Sequence, residues 1–540
     1  MTAVETPSDS WKHAIGHPIL QGCILALLAV AIAWFVQVPG RFPDPDSFYH
    51  AGMAELAADG VFRQQFPWLT LTGFPDRYAD LHLVYHLILV PFVRLFGPAD
   101  GIRIAAIAAI GLLTVGFYAM LRTMRVRGAF WFTYLLLGSA AFMFRANLAK
   151  SQGFAFFILF LGIAAAAKRS YIGIFLAALF AAWTSSHWPV LTAAIGCIAL
   201  AQFVIALIDG ATPTFRIGRP FLALCAMVLT ALLGNVVAMI VHPYFPANLV
   251  VAREQILAIA VIGGIPESIP GSEWAPLSMA HLLGAVGFLI PLALAAIGGL
   301  LTLLARTVRG TLPDERRTAA YALAIGLLAA GFVVLALAAQ RHIEFLVPLA
   351  ITAIALGMQP LIAWAWPPRI AIAWRRPGEL RRPLSSIVLF VAIVAFTIGG
   401  VRGIMAQRAV FAAGHPTETL AAASGWIAEH APPGAIIFHA DWDDFPFLFF
   451  HNRHQRYLVG LDPRFAYFHD RERYMEMLAI RDADTTAGSI ARRIVAATDA
   501  SYALTTNDQT ALIALLNADR NATKVYADDE ATVYELGKSY

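Results

Sequence analysis

About eleven stretches of this chain are apolar for long enough to cross a bilayer, or nearly so, and that leaves few folds open. They are His17–Val38, Gly101–Leu121, Ala129–Phe144, Gln152–Ala167, Tyr171–Ser186, Pro189–Ile208, Phe221–Val241, His281–Ala305, Thr318–Ala339, Ile343–Ala363 and Leu384–Gly400. Roughly 20 helical residues match a hydrocarbon core of about 30 Å. Backbone in that layer must satisfy its own hydrogen bonds, which selects helices for sequences of this kind. With 59% hydrophobic and 14% charged residues and a mean hydropathy of +0.66, the chain falls outside the range of soluble globular domains. It reads as a polytopic α-helical membrane protein with room for one soluble domain. The formal net charge of +4 gives no reason to expect nucleic acid as a partner. Cys23, Cys197 and Cys225 all lie in apolar runs and read as helix-packing residues rather than disulfides or metal ligands. The first run is followed by Pro39-Gly40 and not by a small-residue cleavage site, so it reads as a span.

One more run, Leu81–Gly97, is short and carries His82, His86, Pro91 and Arg94. If it lies along the surface, the basic clusters fall on one side. These are Lys12, Arg122/Arg125/Arg127, Lys168/Arg169, Arg216/Arg219, Arg306/Arg309/Arg316/Arg317 and Arg369/Arg375/Arg376/Arg381/Arg382. The positive-inside rule then makes that side, and the N-terminus, cytoplasmic. Leu81–Gly97 becomes an interfacial helix, and the expected setting is a bacterial inner membrane. The expected organisation is a membrane domain over 1–404, with outer loops at 39–97 and 242–280, followed by an extracytoplasmic α/β domain over 405–540. In that domain Thr417–His430, Ser489–Thr498 and Gln509–Asn517 read as helices. Ala435–His439, Tyr502–Thr505, Thr523–Tyr526 and Thr532–Leu536 read as strands.

The expected outer segments hold the chemistry. Pro43-Asp44-Pro45-Asp46 places two carboxylates two residues apart. If the segment is extended they share a face and can bind a hard divalent cation such as Mg or Mn. A Pro/Asp turn leaving a membrane helix is the alternative. His50, Asp80 and His82 follow in the same loop, and His82 and His86 share a helical face, which suits either an interfacial polar face or a metal. Loop three carries Arg253, Glu254, Glu267, Glu273 and Trp274. Arg341 stands at the end of a span, where it can be a snorkelling anchor or a phosphate clamp. Trp442-Asp443-Asp444 follows a strand, a common binding-loop position in α/β domains; a structural turn with a packed Trp is the alternative.

In this order the pieces resemble the catalytic subunit of oligosaccharyltransferase, a type-C (GT-C) membrane glycosyltransferase. Asp46-Ser47-Phe48-Tyr49-His50 resembles the family's first-loop Asp-Pro-Tyr-Tyr-His motif, and Phe66-Pro67-Trp68 to His82 resembles the rest of that loop. Ser186-His187-Trp188-Pro189 lies where the family has a Gly-Tyr-Pro element. Glu273, in Pro270-Gly271-Ser272-Glu273, matches the carboxylate of a Thr-Ile-x-Glu motif. Arg341 matches the donor-phosphate arginine, and Trp442-Asp443-Asp444-Phe445-Pro446 resembles the acceptor-reading Trp-Trp-Asp-Tyr-Gly motif. The resemblance implies glycosyl transfer from a polyprenyl-phosphate or -diphosphate donor to an extracytoplasmic glycan, lipid or protein. It implies Asp46 and Glu273 as catalytic residues; Asp46, Asp44 and Glu273 as metal ligands; Arg341 on the donor phosphate; and Trp442, Asp443 and Asp444 on the acceptor. Departures are visible. The segment Arg145–Gln152 lacks the family's second acidic motif and carries Lys150 and Gln152, and Asp443 and Pro446 replace a Trp and a Gly of the acceptor motif. A monosaccharide transferase of the same fold is the nearest alternative, and a transporter or receptor with an outer binding domain is the alternative from another class. A transporter should show interrupted helices with mid-span charges, whereas the acidic candidates here fall in loops.

Overall fold

The computed structural model describes residues 17–60, 65–209, 218–260, 272–308, 313–365, 381–484 and 488–537. Lys12, Arg216, Glu267, Pro270, Gly271, Arg309, Arg369, Arg375 and Arg376 lie outside them. Every apolar run of the sequence is helical. Among the described residues seven helices are long and apolar enough to cross a membrane, and an eighth is counted if the pair Ala129–Leu137 and Ala140–Asn147, bent by 71°, is one span. The remaining apolar runs form shorter helices, Gln152–Ala167 of 16 residues, Tyr171–Thr184 of 14 and Ile343–Gly357 of 15. At 1.5 Å per residue these fall short of about 30 Å, so the count is below the eleven that hydropathy suggests. Leu83–Phe96 is likewise too short to span, at 14 residues.

Packing divides the chain into two compact units. The first gathers Met1–Val38, Ala106–Ala238 and Glu273–Val410; the second gathers Pro39–Ala105, Met239–Ser272 and Phe411–Tyr540. The boundary expected at 404/405 falls inside the helix Arg381–Ala412.

In the helical unit, Ile343–Gly357 is apolar on every side and buried along nearly its whole length, as a helix with no polar stripe must be. It packs against Pro313–Ala338 and Ile290–Val308. The bend between Ala129–Leu137 and Ala140–Asn147 comes at Gly138, where a Cβ would overlap the Phe396 ring. Asn147 closes that bent pair, and Gln37 donates to its carbonyl at 2.5 Å.

The second unit holds a four-stranded sheet of Ile437–His439, Tyr502–Thr506, Ala522–Ala527 and Ala531–Leu536. The first two strands pair parallel, the second pairs antiparallel with the fourth, and the fourth with the third. All four expected strands are present, as are the three expected helices, at Ala421–His430, Ile490–Thr498 and Thr510–Ala518. Ile490–Thr498 buries Ile490, Ala491, Ile494 and Ala497, one face at helical spacing. Sequence reading omits the helices Phe445–His451, Arg464–His469 and Arg471–Arg481.

Segment 39–80 is not a loose loop. Arg41–Phe42 pairs antiparallel with His415–Pro416, and the backbone N–H groups of Thr70 and Leu71 donate to the carbonyls of Tyr457 and Leu458 at 2.9 and 3.0 Å. Asp46–Ala58 is a helix buried over most of its length. Phe48 packs edge-on against Phe447 with centroids 4.6 Å apart, and a Cβ on Gly52 would sit 2.9 Å from the Phe449 ring. Part of loop three is also helical, at Ala247–Ala260.

Candidate functional site

The helical unit holds a connected cluster of charged groups. Arg145, near the end of Ala140–Asn147, donates through Nη2 to Glu273 Oε2 at 3.0 Å and through Nε to Glu344 Oε2 at 3.2 Å. Arg341 Nη1 lies 3.0 Å from Glu273 Oε1, so each oxygen of Glu273 meets a different arginine. Arg341 Nη2 also approaches His187 Nε2 at 3.2 Å. A guanidinium carries only donors, so that nitrogen accepts and the imidazole proton sits on Nδ1, 2.7 Å from Ser185 Oγ. His187 Nε2 is 3.7 Å from Glu344 Oε1, but in this tautomer it has no proton to give that carboxylate, so the contact is not an ion pair.

Local sequence explains the placement. Glu344 lies in the first turn of a buried helix, where a carboxylate suits the partial positive charge of the N-terminus, and its side chain is 0% exposed. Arg341 is in the short 3₁₀ turn Gln340–His342 just before it. Glu273 sits in a similar turn, Ser272–Trp274, and the Arg341 guanidinium stacks 4.4 Å from the Trp274 ring. Burial by itself would raise the pKa of Glu273, but Arg341, Lys150 and Arg145 outweigh it and bring the value down to about 2. Burial and then Arg341 push His342 down to about 4. Phe345, one residue beyond Glu344, shares with His187, Gln152 and Phe156 the lining of a small apolar cleft.

The second unit holds a different cluster. Asp80 Oδ2 accepts from His86 Nδ1 at 2.6 Å, and His86 Nε2 meets His50 Nδ1 at 2.8 Å. The three residues are at most 5% exposed. Burial would raise Asp80, but His86, by its charge and its hydrogen bond, and His82 hold it below the ordinary carboxylate range. His82 precedes the helix Leu83–Phe96 and its backbone N–H donates to Asp80 Oδ1 at 2.9 Å. Tyr49 and Tyr78 share a hydroxyl–hydroxyl bond of 3.0 Å. Asp46 is the first residue of Asp46–Ala58 and half-buried, with His50 one turn further along.

The structure corrects the extended carboxylate pair. The chain turns at Pro45, whose φ and ψ are −66° and −33°, and enters the helix at Asp46. Asp44 Oδ1 accepts from Ser47 N at 3.0 Å and Ser47 Oγ at 2.7 Å, holding the first turn, because a short carboxylate at a helix start satisfies N–H groups that lack helical partners. Glu273, whose two oxygens meet guanidinium groups, does not fit the divalent-metal expectation as it stands here. Among the described residues no three His, Cys, Asp or Glu side chains gather as a metal site.

Trp442–Asp444 is a 3₁₀ turn closed by a capping box. Asp441 Oδ1 accepts from Asp443 N at 3.1 Å, and Asp444 Oδ2 accepts from Asp441 N at 3.4 Å. Burial, then the nearby Asp441 charge, push the Asp444 carboxyl well above its ordinary value. Trp442 packs against the core of this unit.

Sequence reading assigns no role to Arg145, Lys150, His187 or Glu344. The replacement of an acidic motif by Arg145–Gln152 is the signal that pointed there.

No protein-family model matches the sequence, and no curated protein sequence matches it. Solved structures do match. The Archaeoglobus fulgidus oligosaccharyltransferase in the apo form aligns with a TM-score of 0.61 at 11% identity, over 96% of this chain and 74% of that one. The same enzyme in complex with Zn and sulfate gives 0.56 at 11% identity, over 95% and 73%. The mycobacterial arabinofuranosyltransferase AftD gives 0.50 at 14% identity, over 96% of this chain and 40% of that one. The chain therefore has the GT-C membrane glycosyltransferase fold, in a form resembling the oligosaccharyltransferase catalytic subunit.

Proposed function

We propose that this multi-pass membrane protein is a glycosyltransferase that moves a sugar or oligosaccharide from a polyprenyl-phosphate or -diphosphate donor to an extracytoplasmic acceptor. The observation that carries the reading is the pair of guanidinium groups of Arg145 and Arg341 meeting at Glu273, with the positive charge of Lys150 acting on the same carboxylate. In the proposed reaction the acceptor heteroatom attacks the anomeric carbon, the bond from that carbon to the phosphate oxygen breaks, and the lipid phosphate leaves with the electron pair. Guanidinium groups suit that leaving group because they bind phosphate through paired N–H donors and keep their charge at any working pH. Their stabilisation grows as charge builds on the phosphate. Glu344 fixes the Arg145 fork and His187 supports Arg341, so the donors are set before the donor lipid arrives. Asp46 is assigned to orienting the acceptor and taking its proton. Trp442 and Asp443 are assigned to acceptor contact, and Asp444 to holding their turn. His50, Asp80 and His82 are secondary positioning residues of the same unit. The Zn and sulfate of the archaeal enzyme's structure keep a divalent metal in view, but the residues described here supply no step through one. The acceptor turn lacks the second Trp of the peptide-reading motif, so an Asn-x-Thr peptide is expected to be a poor acceptor and a glycan or lipid a better one.

The proposed orientation puts the N-terminus in the cytoplasm and residues 405–540 outside. The function is tested by mass spectrometry of lipid-linked sugars in a deletion strain. Accumulation of one polyprenyl-linked sugar, reversed by the wild-type gene but not by Arg341→Gln, is the expected result. An unchanged lipid-linked pool would overturn the reading.

A further inference from the structure

Glycosyl transfer uses the His187 end of the helical unit; a second polar site lies far along the same helices. Trp188–Asp209 starts next to His187, and at about 1.5 Å per residue Gln202 lies roughly 22 Å further along. There a cavity of about 200 Å³ is lined by Arg169, Gln202 and Arg219 on its polar side and by Phe203, Leu224 and Met227 among its apolar residues. Arg169 follows the end of Gln152–Ala167, and Arg219 is in the first turn of Gly218–Ile240. Both are exposed. Gln202 is 6% exposed and its position is fixed from three sides. Its Oε1 accepts from Arg169 Nε, and its Nε2 donates to the Ala166 carbonyl and the Tyr321 hydroxyl, each at 2.9 Å. Arg317 Nε in turn reaches the Tyr321 hydroxyl at 3.2 Å. Among the described residues neither Arg169 nor Arg219 forms an ion pair.

We infer that this cavity binds the headgroup phosphate of an acidic glycerophospholipid. Arg169 uses its Nε on Gln202, which leaves its two Nη groups to face a phosphate, and Arg219 brings a second guanidinium to the same cavity. Two cations at the ends of apolar helices attract an anion held at the bilayer surface. The apolar lining decides between a lipid and a soluble anion: Phe203, Leu224 and Met227 gain from hydrocarbon and gain nothing from inorganic phosphate. The site is separate from the Arg341 cluster and does not depend on the proposed reaction.

The test is native mass spectrometry of the purified full-length protein in detergent, titrated with dioleoylphosphatidylglycerol and with dioleoylphosphatidylcholine. The two lipids share their chains and differ in net charge. Tight retention of one phosphatidylglycerol over phosphatidylcholine is expected. The double variant Arg169→Gln/Arg219→Gln should weaken it about 30-fold, since each cation near a charged lipid contributes roughly five- to sixfold. Ala223→Phe keeps both arginines and fills the cavity, and should weaken the same binding while melting as a single species. Equal retention of both lipids, or wild-type retention by both variants, would overturn the inference. Displacement of the lipid by millimolar inorganic phosphate would also overturn it, by making the site one for soluble anions.

Discussion

Glu273 and Asp80 are both carboxylates held below their usual pKa, one in each unit, by different chemistry. Glu273 is held by two guanidinium groups and an ammonium. None of these gives up its proton near neutral pH. Asp80 is held chiefly by the imidazole of His86, itself bonded to a second imidazole. The cluster around Glu273 therefore presents constant charge, as an anion-binding group requires. The Asp80–His86–His50 chain is instead a run of buried hydrogen bonds through two rings. Buried ion pairs also differ from buried neutral hydrogen bonds in what their loss exposes, since an arginine deprived of its carboxylate stays charged.

That difference can be broken at its largest expected effect on stability by removing one carboxylate from each cluster. Glu344→Ala removes the fully buried one of the two carboxylates that Arg145 meets, Glu273 remaining, and is expected to cost about 2–3 kcal/mol, read as a lowered melting temperature in detergent. Asp80→Asn keeps an acceptor for His86 and should cost about 1–2 kcal/mol. Equal costs would remove the distinction. Arg341→Gln should lower turnover about 100- to 1,000-fold, or roughly 2.7–4 kcal/mol, with a smaller effect on donor affinity, because charge builds on the leaving phosphate in the transition state. Asp46→Asn should lower turnover about 100-fold, with wild-type activity changing less than about twofold in EDTA, as expected if Arg145, Lys150 and Arg341 supply the positive charge. Strong chelator sensitivity would restore a metal to the site. Asp44→Ala removes the bonds to Ser47 and should cost about 1 kcal/mol of stability, while Asp44 has no assigned part in turnover.

The smallest expected effect lies at Asp444. Burial raises its pKa in the folded state, so the fold keeps a proton that the unfolded chain releases near the ordinary carboxylate pKa of about 4. Stability from this group is then fully present below that pH and declines as pH rises toward the folded value. Asn cannot ionise, so Asp444→Asn should abolish this decline above about pH 4 and leave turnover within about twofold. A large loss of turnover would show that a charged Asp444 contacts the acceptor.

Much of the fold is legible in the sequence. The apolar runs fall on helices, and the short strands of the last 135 or so residues appear where alternation places them. The membrane count differs because Gln152–Ala167, Tyr171–Thr184 and Ile343–Gly357 are shorter than a span, and hydropathy windows do not report where a helix stops. Asp46–Ala58 was not foreseen as a helix because its apolar pattern is interrupted by Gly52 and Glu55 and it follows a Pro/Asp turn. It is helical where its buried face meets Phe447 and Phe449. Motif resemblance singles out Glu273 and Arg341, which the structure brings within 3.0 Å of each other.

The sequence by itself determined that the chain forms membrane helices and a small α/β layer. Helical hydrogen bonds are local, and period and length are written in consecutive residues. Only the tertiary structure decided which charges meet. Arg145 reaches Glu273 and Glu344 across sequence separations of 128 and 199 residues, and no local pattern encodes such a pairing. It depends on the bend at Gly138, on the two 3₁₀ turns that present Glu273 and Arg341, and on the buried first turn of Ile343–Gly357. Packing brings those features together and leaves each buried charge its nearest opposite charge as partner.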